Sequence, residues 1–286
     1  MMKTFRFTMV AALLVAASAL TAAQTRIERS RLWTERKYAG IARIRQYDIR
    51  SAQIPAAFDG FRMAFATDIH YRSRFDDREL QALGLALADL APDALLLGGD
   101  YQEGCEFVRP LFETLALCAP PYGTFAVMGN NDYERCTQLI TSTIDSLGMH
   151  LLDNDTRLIE KDGTHITIAG AHNTFGSVET TPSPTNALPD SDFVVLLTHT
   201  PDYAEDVDIR HTDVALAGHL HGGQVTLLGL YAPILPSHHG QRFRTGLRRN
   251  SAGIPIIISN GLGTSRRKIR FCAPTEIIVV VLHHTN

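Results

Sequence analysis

From about residue 60 onward the chain alternates short apolar runs with amphipathic stretches. FRMAFATDIH (61–70), DALLLGGD (93–100), GTFAVMGNND (123–132), FVVLLTHT (193–200) and DVALAGHLH (213–221) share one shape. Each is a nearly continuous apolar run, as expected of a strand buried on both faces, and each stops abruptly at Asp, Asn or His. IPIIISNGLG (254–263) and TEIIVVVLHH (275–284) predict two further strands.

Between the first two runs, residues 75–92 read as a helix. Asp76 can cap it with Glu79 three positions on, Leu80, Leu83, Leu87 and Leu90 line one face, and Pro92 ends it. Residues 136–148 repeat the pattern with Ile140, Ile144 and Leu147 and stop at Gly148. Residues 153–170 predict a hairpin turning at Asp162-Gly163. A Pro/Ser/Thr-rich loop occupies 176–191, and a long Gly/Pro/Arg-containing insertion occupies 225–250. Loops of that length inside a compact domain are often functional.

Composition narrows the class. The chain has 286 residues, 45% hydrophobic and 20% charged, with a net charge of -3. These are globular values, and no long basic run offers a nucleic-acid stripe. The four cysteines form no CxxC pair, so a zinc knuckle is not expected. Cys105 and Cys136 each follow an expected active-site loop and could pair, but free buried thiols are the expected state.

At the N-terminus a basic start is followed by an uncharged apolar stretch, Phe7 to Ala23. It reads equally as a signal peptide or as a membrane anchor. The resulting division is residues 1–24 as targeting segment, 25–44 as basic juxtamembrane segment and 45–286 as the folded domain.

In open α/β sheets, ligands bind outside the carboxyl ends of the strands. Five expected strands deliver metal-type side chains there: Asp68 and His70, Asp100, Asn130, His199, and His219 with His221. The i, i+2 spacing within Asp68/His70 and His219/His221 places each pair on one side of an extended backbone. Four imidazoles, two carboxylates and an amide oxygen suit two divalent ions such as Mn, Fe or Zn. Singly, each residue is more often a structural cap or a hydrogen-bonded histidine. Jointly, they point to a metal centre. His150, His165, His172, His211, His283 and His284 lack this context and are read as structural or solvent-exposed. There is no G-x-S-x-G elbow and no P-loop lysine.

The ordered series D-x-H, GD, GN-x-D, H and GH-x-H resembles the calcineurin-like metallophosphoesterases over roughly residues 45–282. THTPD (198–202), GHLHGGQ (218–224) and GLGTSRRKIRF (261–271) resemble the membrane-associated bacterial branch that includes alternative UDP-2,3-diacylglucosamine pyrophosphatases. The resemblance implies a four-layer αββα sandwich of two mixed sheets flanked by helices. It implies Asp68, His70, Asp100 and His221 on one metal, and Asn130, His199 and His219 on the second, with Asp100 bridging. It also implies Asn131 and Asp132 as the catalytic pair, where the family usually has His followed by an acid.

Asn131 cannot deliver a proton near neutral pH, and a positioned general acid is worth roughly 10²–10⁴ in rate. The expected bond is therefore a pyrophosphate or an activated phosphodiester, cleaved by a metal-activated hydroxide, as in UDP-2,3-diacylglucosamine. A broad exported phosphodiesterase and a catalytically impaired metal-holding protein are the alternatives. His238 or His239 could replace the missing acid. Arg72, Arg74, Arg266, Arg267 and Arg270 are candidate phosphate contacts, with ordinary surface arginines as the equal alternative. The mixture of Leu227, Leu228, Leu230, Tyr231, Ile234 and Leu235 with Arg242, Arg244, Arg248 and Arg249 suits an acylated anion at a membrane surface, or equally a packed loop. The expected partners are a phosphorylated small-molecule or lipid substrate and a membrane surface, with no nucleic acid and no protein partner. The expected location is the bacterial cell envelope, on either side of the inner membrane.

Overall fold

The computed structural model describes residues 25–33, 37–172 and 182–286. The expected targeting segment, residues 1–24, and part of the 176–191 loop lie outside the described residues. No helix among the described residues is long and apolar enough to cross a membrane.

The strands run in chain order as β1 (Arg26–Trp33), β2 (Arg43–Ser51), β3 (Arg62–Ala66), β4 (Ala94–Leu97), β5 (Thr124–Ala126), β6 (His150–Leu151), β7 (Asp155–Lys161), β8 (Thr164–Gly170), β9 (Val194–Leu197), β10 (Val214–Ala217), β11 (Gly246–Arg249), β12 (Pro255–Ile258) and β13 (Glu276–His284). They build a seven-stranded sheet, β1-β2-β13-β3-β4-β5-β6, and a six-stranded sheet, β11-β12-β10-β9-β8-β7. Both sheets are mixed. β3, β4, β5 and β6 are parallel to one another, as are β8, β9, β10 and β12. Their carboxyl ends therefore gather at one edge of the molecule.

Three apolar layers hold the sheets. Phe65, Leu96, Val127, Ile168, Leu197 and Leu216 fill the space between the two sheets. Outside the seven-stranded sheet, Leu95, Leu97 and Val279 meet the helices α1 (Asp77–Leu90), α2 (Val108–Ala116) and, beyond the five-residue α3 (Asn130–Glu134), α4 (Thr137–Ser146). Outside the six-stranded sheet, Leu196, Ala215 and Ile256 pack under Tyr203 and Ala204 of the short α5 (Tyr203–Asp206), and under Phe243 of the insertion. The fold is a four-layer αββα sandwich whose second outer layer is built mostly of turns and loop.

Helix α1 begins as its sequence implies. The Asp76 carboxylate accepts from Glu79 N and the Glu79 carboxylate accepts from Asp76 N, a reciprocal capping box. Such a cap is worth about 1 kcal/mol. β7 and β8 form the expected hairpin, with Asp162 (φ 50°) and Gly163 (φ 73°) both left-handed, as a two-residue type I′ turn requires.

Two stretches fold differently from expectation. Residues Arg26–Trp33 of the basic segment form edge strand β1, paired antiparallel with β2 and bulged between Arg29 and Arg31. An Arg- and Glu-rich edge strand suits a sheet margin, where charge and a bulge discourage pairing with other chains. Cys105 and Cys136, expected as free thiols, form a disulfide with a Cα–Cα distance of 5.4 Å. Cys118 is half-buried and Cys272 exposed. The bridge ties the loop after β4 to the loop after β5.

Candidate metal centre

The apolar strands end where their ligands begin, and the backbone there changes hand. Asp68, His70, Asp100, His219 and His221 all have positive φ, between 41° and 67°. For residues with a Cβ this conformation costs roughly 1–2 kcal/mol each. The extended i, i+2 geometry expected for Asp68/His70 and His219/His221 is thus corrected. The left-handed backbone turns each side chain inward, and the second pair splits between two groups.

Asp68, His70 and His221 form one buried group, and Asp100, His199 and His219 another; within each, the offered ligand atoms lie within 4.8 Å of one another. Asp100 Oδ2 lies 3.3 Å from His70 Nε2 and 3.5 Å from His199 Nε2. One carboxylate oxygen therefore faces an imidazole of each group, the position a bridging ligand needs.

Three glycines make the approach possible. A Cβ on Gly129 would lie 2.2 Å from Asp100 Oδ1, one on Gly218 would lie 2.2 Å from Asp68 Oδ2, and one on Gly263 would lie 2.0 Å from the Ile69 carbonyl. No side chain fits at those distances.

The donor set fits divalent cations. His70 Nδ1 donates to Glu103 Oε1 (2.6 Å) and His199 Nδ1 donates to the Gly98 carbonyl (2.8 Å), which leaves both Nε2 atoms directed inward. Orientation of this kind through the second ring nitrogen is what metal-binding histidines need. Asn130 Oδ1 is buried without a hydrogen-bond partner. A buried acceptor left in that state costs about 1–3 kcal/mol unless a cation or water meets it. His221 fits least well, because Arg270 Nη2 lies 3.1 Å from its Nδ1 and so leaves the ring proton on Nε2.

The titration behaviour of the cluster points the same way. Burial alone would lower His70 and His199, but Asp100 and, for His70, Glu103 raise them to about 10 and about 9. Burial pushes Asp100 up, yet the neighbouring His199 and His70 hold it well below the usual carboxylate range. Burial, reinforced by charge on His199, lowers His219 to about 3. Positive charge is drawn to the two carboxylates, and bound cations would supply it in place of protons.

Asn131 sits at the rim, its backbone N–H donating to Asp100 Oδ1 (3.0 Å) and its carboxamide Nδ2 to Asp100 Oδ2 (3.1 Å). Asp132 does not hold it. The Asp132 carboxylate is fully buried and accepts from Gly129 N (2.8 Å), Asp100 N (2.7 Å) and Tyr101 N (3.1 Å). It braces the two loops that carry Asp100 and Asn130 rather than facing the mouth. Burial and the charge of Asp100 raise it to about 7.

The candidate arginines separate clearly. Arg270 is corrected from phosphate contact to structural brace. Its five N–H groups face the carbonyls of Gly263, His221, Ala273 and Asn260 and the His221 ring. Arg72 pairs with Asp77 and lies over the rings of Tyr71 and Phe107. Arg74, Arg266 and Arg267 are exposed. In the insertion, Arg244 is buried and donates to the carbonyls of Gly222 and Gly229, while Arg242 pairs with Glu205. His239 is tied to Asp206 and packs on Phe243; His238 is exposed. Glu103 escaped the sequence reading, since it belongs to no ligand motif and only the closed loop after β4 brings it to His70.

A two-sheet αββα sandwich carrying two such ligand groups at its carboxyl edge is the frame of a two-metal hydrolase of phosphoric esters. The chain belongs to the calcineurin-like phosphoesterase family, whose model matches residues 61–223. It is 29% identical over 250 residues to the metallophosphoesterase YkuE of Bacillus subtilis, covering 84% of this chain and 85% of that protein. It is 32% identical over 197 residues to phosphodiesterase YaeI of Escherichia coli, covering 65% and 70%. Among solved structures it is similar to the NAD nucleotidase NadN of Haemophilus influenzae (TM-score 0.47, 15% identity, 71% of this chain) and a 5′-nucleotidase precursor of Thermus thermophilus (TM-score 0.44, 13% identity, 71%). It spans 45% and 49% of those two chains, about half their length.

Proposed function

We propose that this chain hydrolyses phosphodiesters, including doubly substituted pyrophosphates, on amphiphilic substrates in an oxidising compartment of the cell envelope. In this reading Asp68, His70, Asp100 and His221 hold one divalent ion, and Asp100, Asn130, His199 and His219 hold the other. Bound in this way, two such ions act as Lewis acids on the phosphoryl oxygens and lower the pKa of the attacking water.

The observation that carries the preference for diesters is the neutral carboxamide of Asn131, which donates to Asp100 Oδ2 at the rim. Each internal phosphate link carries one negative charge, whereas a monoester near neutral pH carries up to two. Of the candidate arginines, Arg270 is committed to carbonyls and Arg72 to Asp77, which leaves the exposed Arg74, Arg266 and Arg267 to meet a phosphate. Asn131 can donate a hydrogen bond to a phosphoryl oxygen but offers it no charge.

Two further features support the setting. Leu227, Leu228, Leu230, Ile234 and Phe271 are exposed on two loops joined by the Thr226 N–H to Phe271 carbonyl bond, beside exposed Arg266, Arg267 and Lys268. Neither 222–244 nor 259–275 contains an acidic residue. Apolar surface flanked by cations suits an anionic amphiphile. The Cys105–Cys136 bridge favours an exported location, since cytosolic thiols are kept reduced. That favours an exported diester over UDP-2,3-diacylglucosamine, whose lipid family is made on the cytoplasmic side.

The test uses the manganese-loaded full chain on bis(p-nitrophenyl) phosphate, p-nitrophenyl phosphate and UDP-2,3-diacylglucosamine, with Asp100→Asn as control. Diester turnover at least tenfold above monoester turnover is expected. Faster monoester turnover overturns the reading, and release of UMP from the lipid returns the substrate to the cytoplasmic side.

A further inference from the structure

Asn131 leaves the site without a proton donor at the place where the family commonly has histidine, and the loop around it contains no substitute. The fold brings one from another strand. His172 lies two residues beyond β8, at the same carboxyl edge as the metal ligands. The Ala171 N–H donates to the Leu197 carbonyl, which continues the β8–β9 register, sets Ala171 alongside Thr198 and brings His172 to the level of His199.

The ring is held from one side. Asp153, just past β6, accepts at Oδ1 from His172 Nδ1 and from the Tyr133 hydroxyl (2.8 Å). Tyr133 is two residues after Asn131, and its ring packs on the imidazole with centroids 4.5 Å apart. One carboxylate and one aromatic face therefore fix the imidazole, contributed by the loop after β6 and by the short helix α3. Its Nε2 has no hydrogen-bond partner among the described residues, and the side chain is 39% exposed.

We propose that His172 is the proton donor of the hydrolysis, with Asp153 and Tyr133 as positioning residues. This rests on the diesterase reading and extends it from activated esters to alkyl and phenyl leaving groups. As the water oxygen bonds to phosphorus and releases one proton to solvent, the bond from phosphorus to the leaving oxygen breaks with its electron pair. That pair takes the Nε2 proton of His172, and the neutral ring regains a proton from solvent. Because Asp153 keeps the Nδ1 proton in place, only the Nε2 proton is exchanged. A carboxylate-oriented imidazole of this kind is the arrangement general acid–base catalysis uses. His239 is held by Asp206 and Phe243, and the exposed His238 ring has no carboxylate partner among the described residues.

The experiment compares His172→Gln, Asp153→Asn and the control His238→Gln on aryl methyl phosphodiesters graded from p-nitrophenol to phenol as leaving group. His172→Gln should leave the p-nitrophenyl ester within about threefold and lower the phenyl ester by roughly 10²-fold. Asn131→His in the His172→Gln background should restore at least tenfold on the phenyl ester. Separately from turnover, the His172 imidazole nitrogen resonances should shift when inorganic phosphate is added to the metal-loaded protein. An equal fall on both esters, no fall on either, or a selective fall in His238→Gln instead overturns the assignment. If no diester is turned over at all, the diesterase reading fails, and the imidazole shift alone then decides whether His172 faces the phosphate.

Discussion

The carboxamide of Asn131 donates to Asp100 Oδ2, the same oxygen that faces both His70 and His199. The residue that replaces a histidine at the rim is therefore coupled to the carboxylate in the middle of the centre. Asp100→Asn should abolish turnover on every ester and reduce the metal stoichiometry from two, read by titration calorimetry and elemental analysis. Two ions retained with full activity would remove Asp100 from the centre.

Glu103 fixes the His70 ring through Nδ1. Glu103→Gln should lower metal affinity by about 10–100-fold, with little change in circular dichroism. Unchanged affinity would mean that the 2.6 Å contact does not orient the ligand.

Gly129 has no room for a methyl group. Gly129→Ala should displace Asp100 or the loop after β5, lowering stability by about 1–3 kcal/mol and weakening metal binding together. Thermal melts with and without manganese report both effects.

The Cys105–Cys136 bridge joins the two loops that Asp132 also braces. Reduction, or Cys105→Ser with Cys136→Ser, should cost about 2–5 kcal/mol in denaturant unfolding and lower turnover. Identical melts in the presence and absence of reductant would show that the bridge contributes nothing to the fold.

Asp213 opens β10 and accepts from Val194 N and Thr25. Burial raises its carboxyl to about 6. The folded state therefore binds more protons than the unfolded state between about pH 4 and 6, so this group's contribution to stability falls as pH rises through that window. Relative to wild type, Asp213→Asn should gain on the order of 2–3 kcal/mol between pH 4 and pH 7. Urea midpoints at the two pH values measure it.

Much of the frame could be read from the chain because buried parallel strands demand continuous apolar runs, and the ligands follow those runs directly. Strand β1 could not, since RIERSRLW alternates charge and apolar side chains in a way that also suits a basic linker. The bridge between Cys105 and Cys136 depends on two loops meeting across β4 and β5, which no spacing encodes. Glu103 and His172 were passed over for the same reason. Each gains its role from a neighbour on another element, Glu103 from His70 and His172 from Asp153. The inward turn at Asp68, His70 and His219 was also hidden, because propensity disfavours left-handed Asp and His except where surrounding structure imposes it.

The chain enters the described fold at Thr25, whose hydroxyl bonds Asp213 at the amino end of β10. The metal centre lies at the opposite, carboxyl end. β1, eight residues long, climbs roughly 26 Å from one to the other. The two ends of the molecule are thus divided in labour, the amino-end face receiving the incoming chain and the carboxyl-end face carrying the ligands.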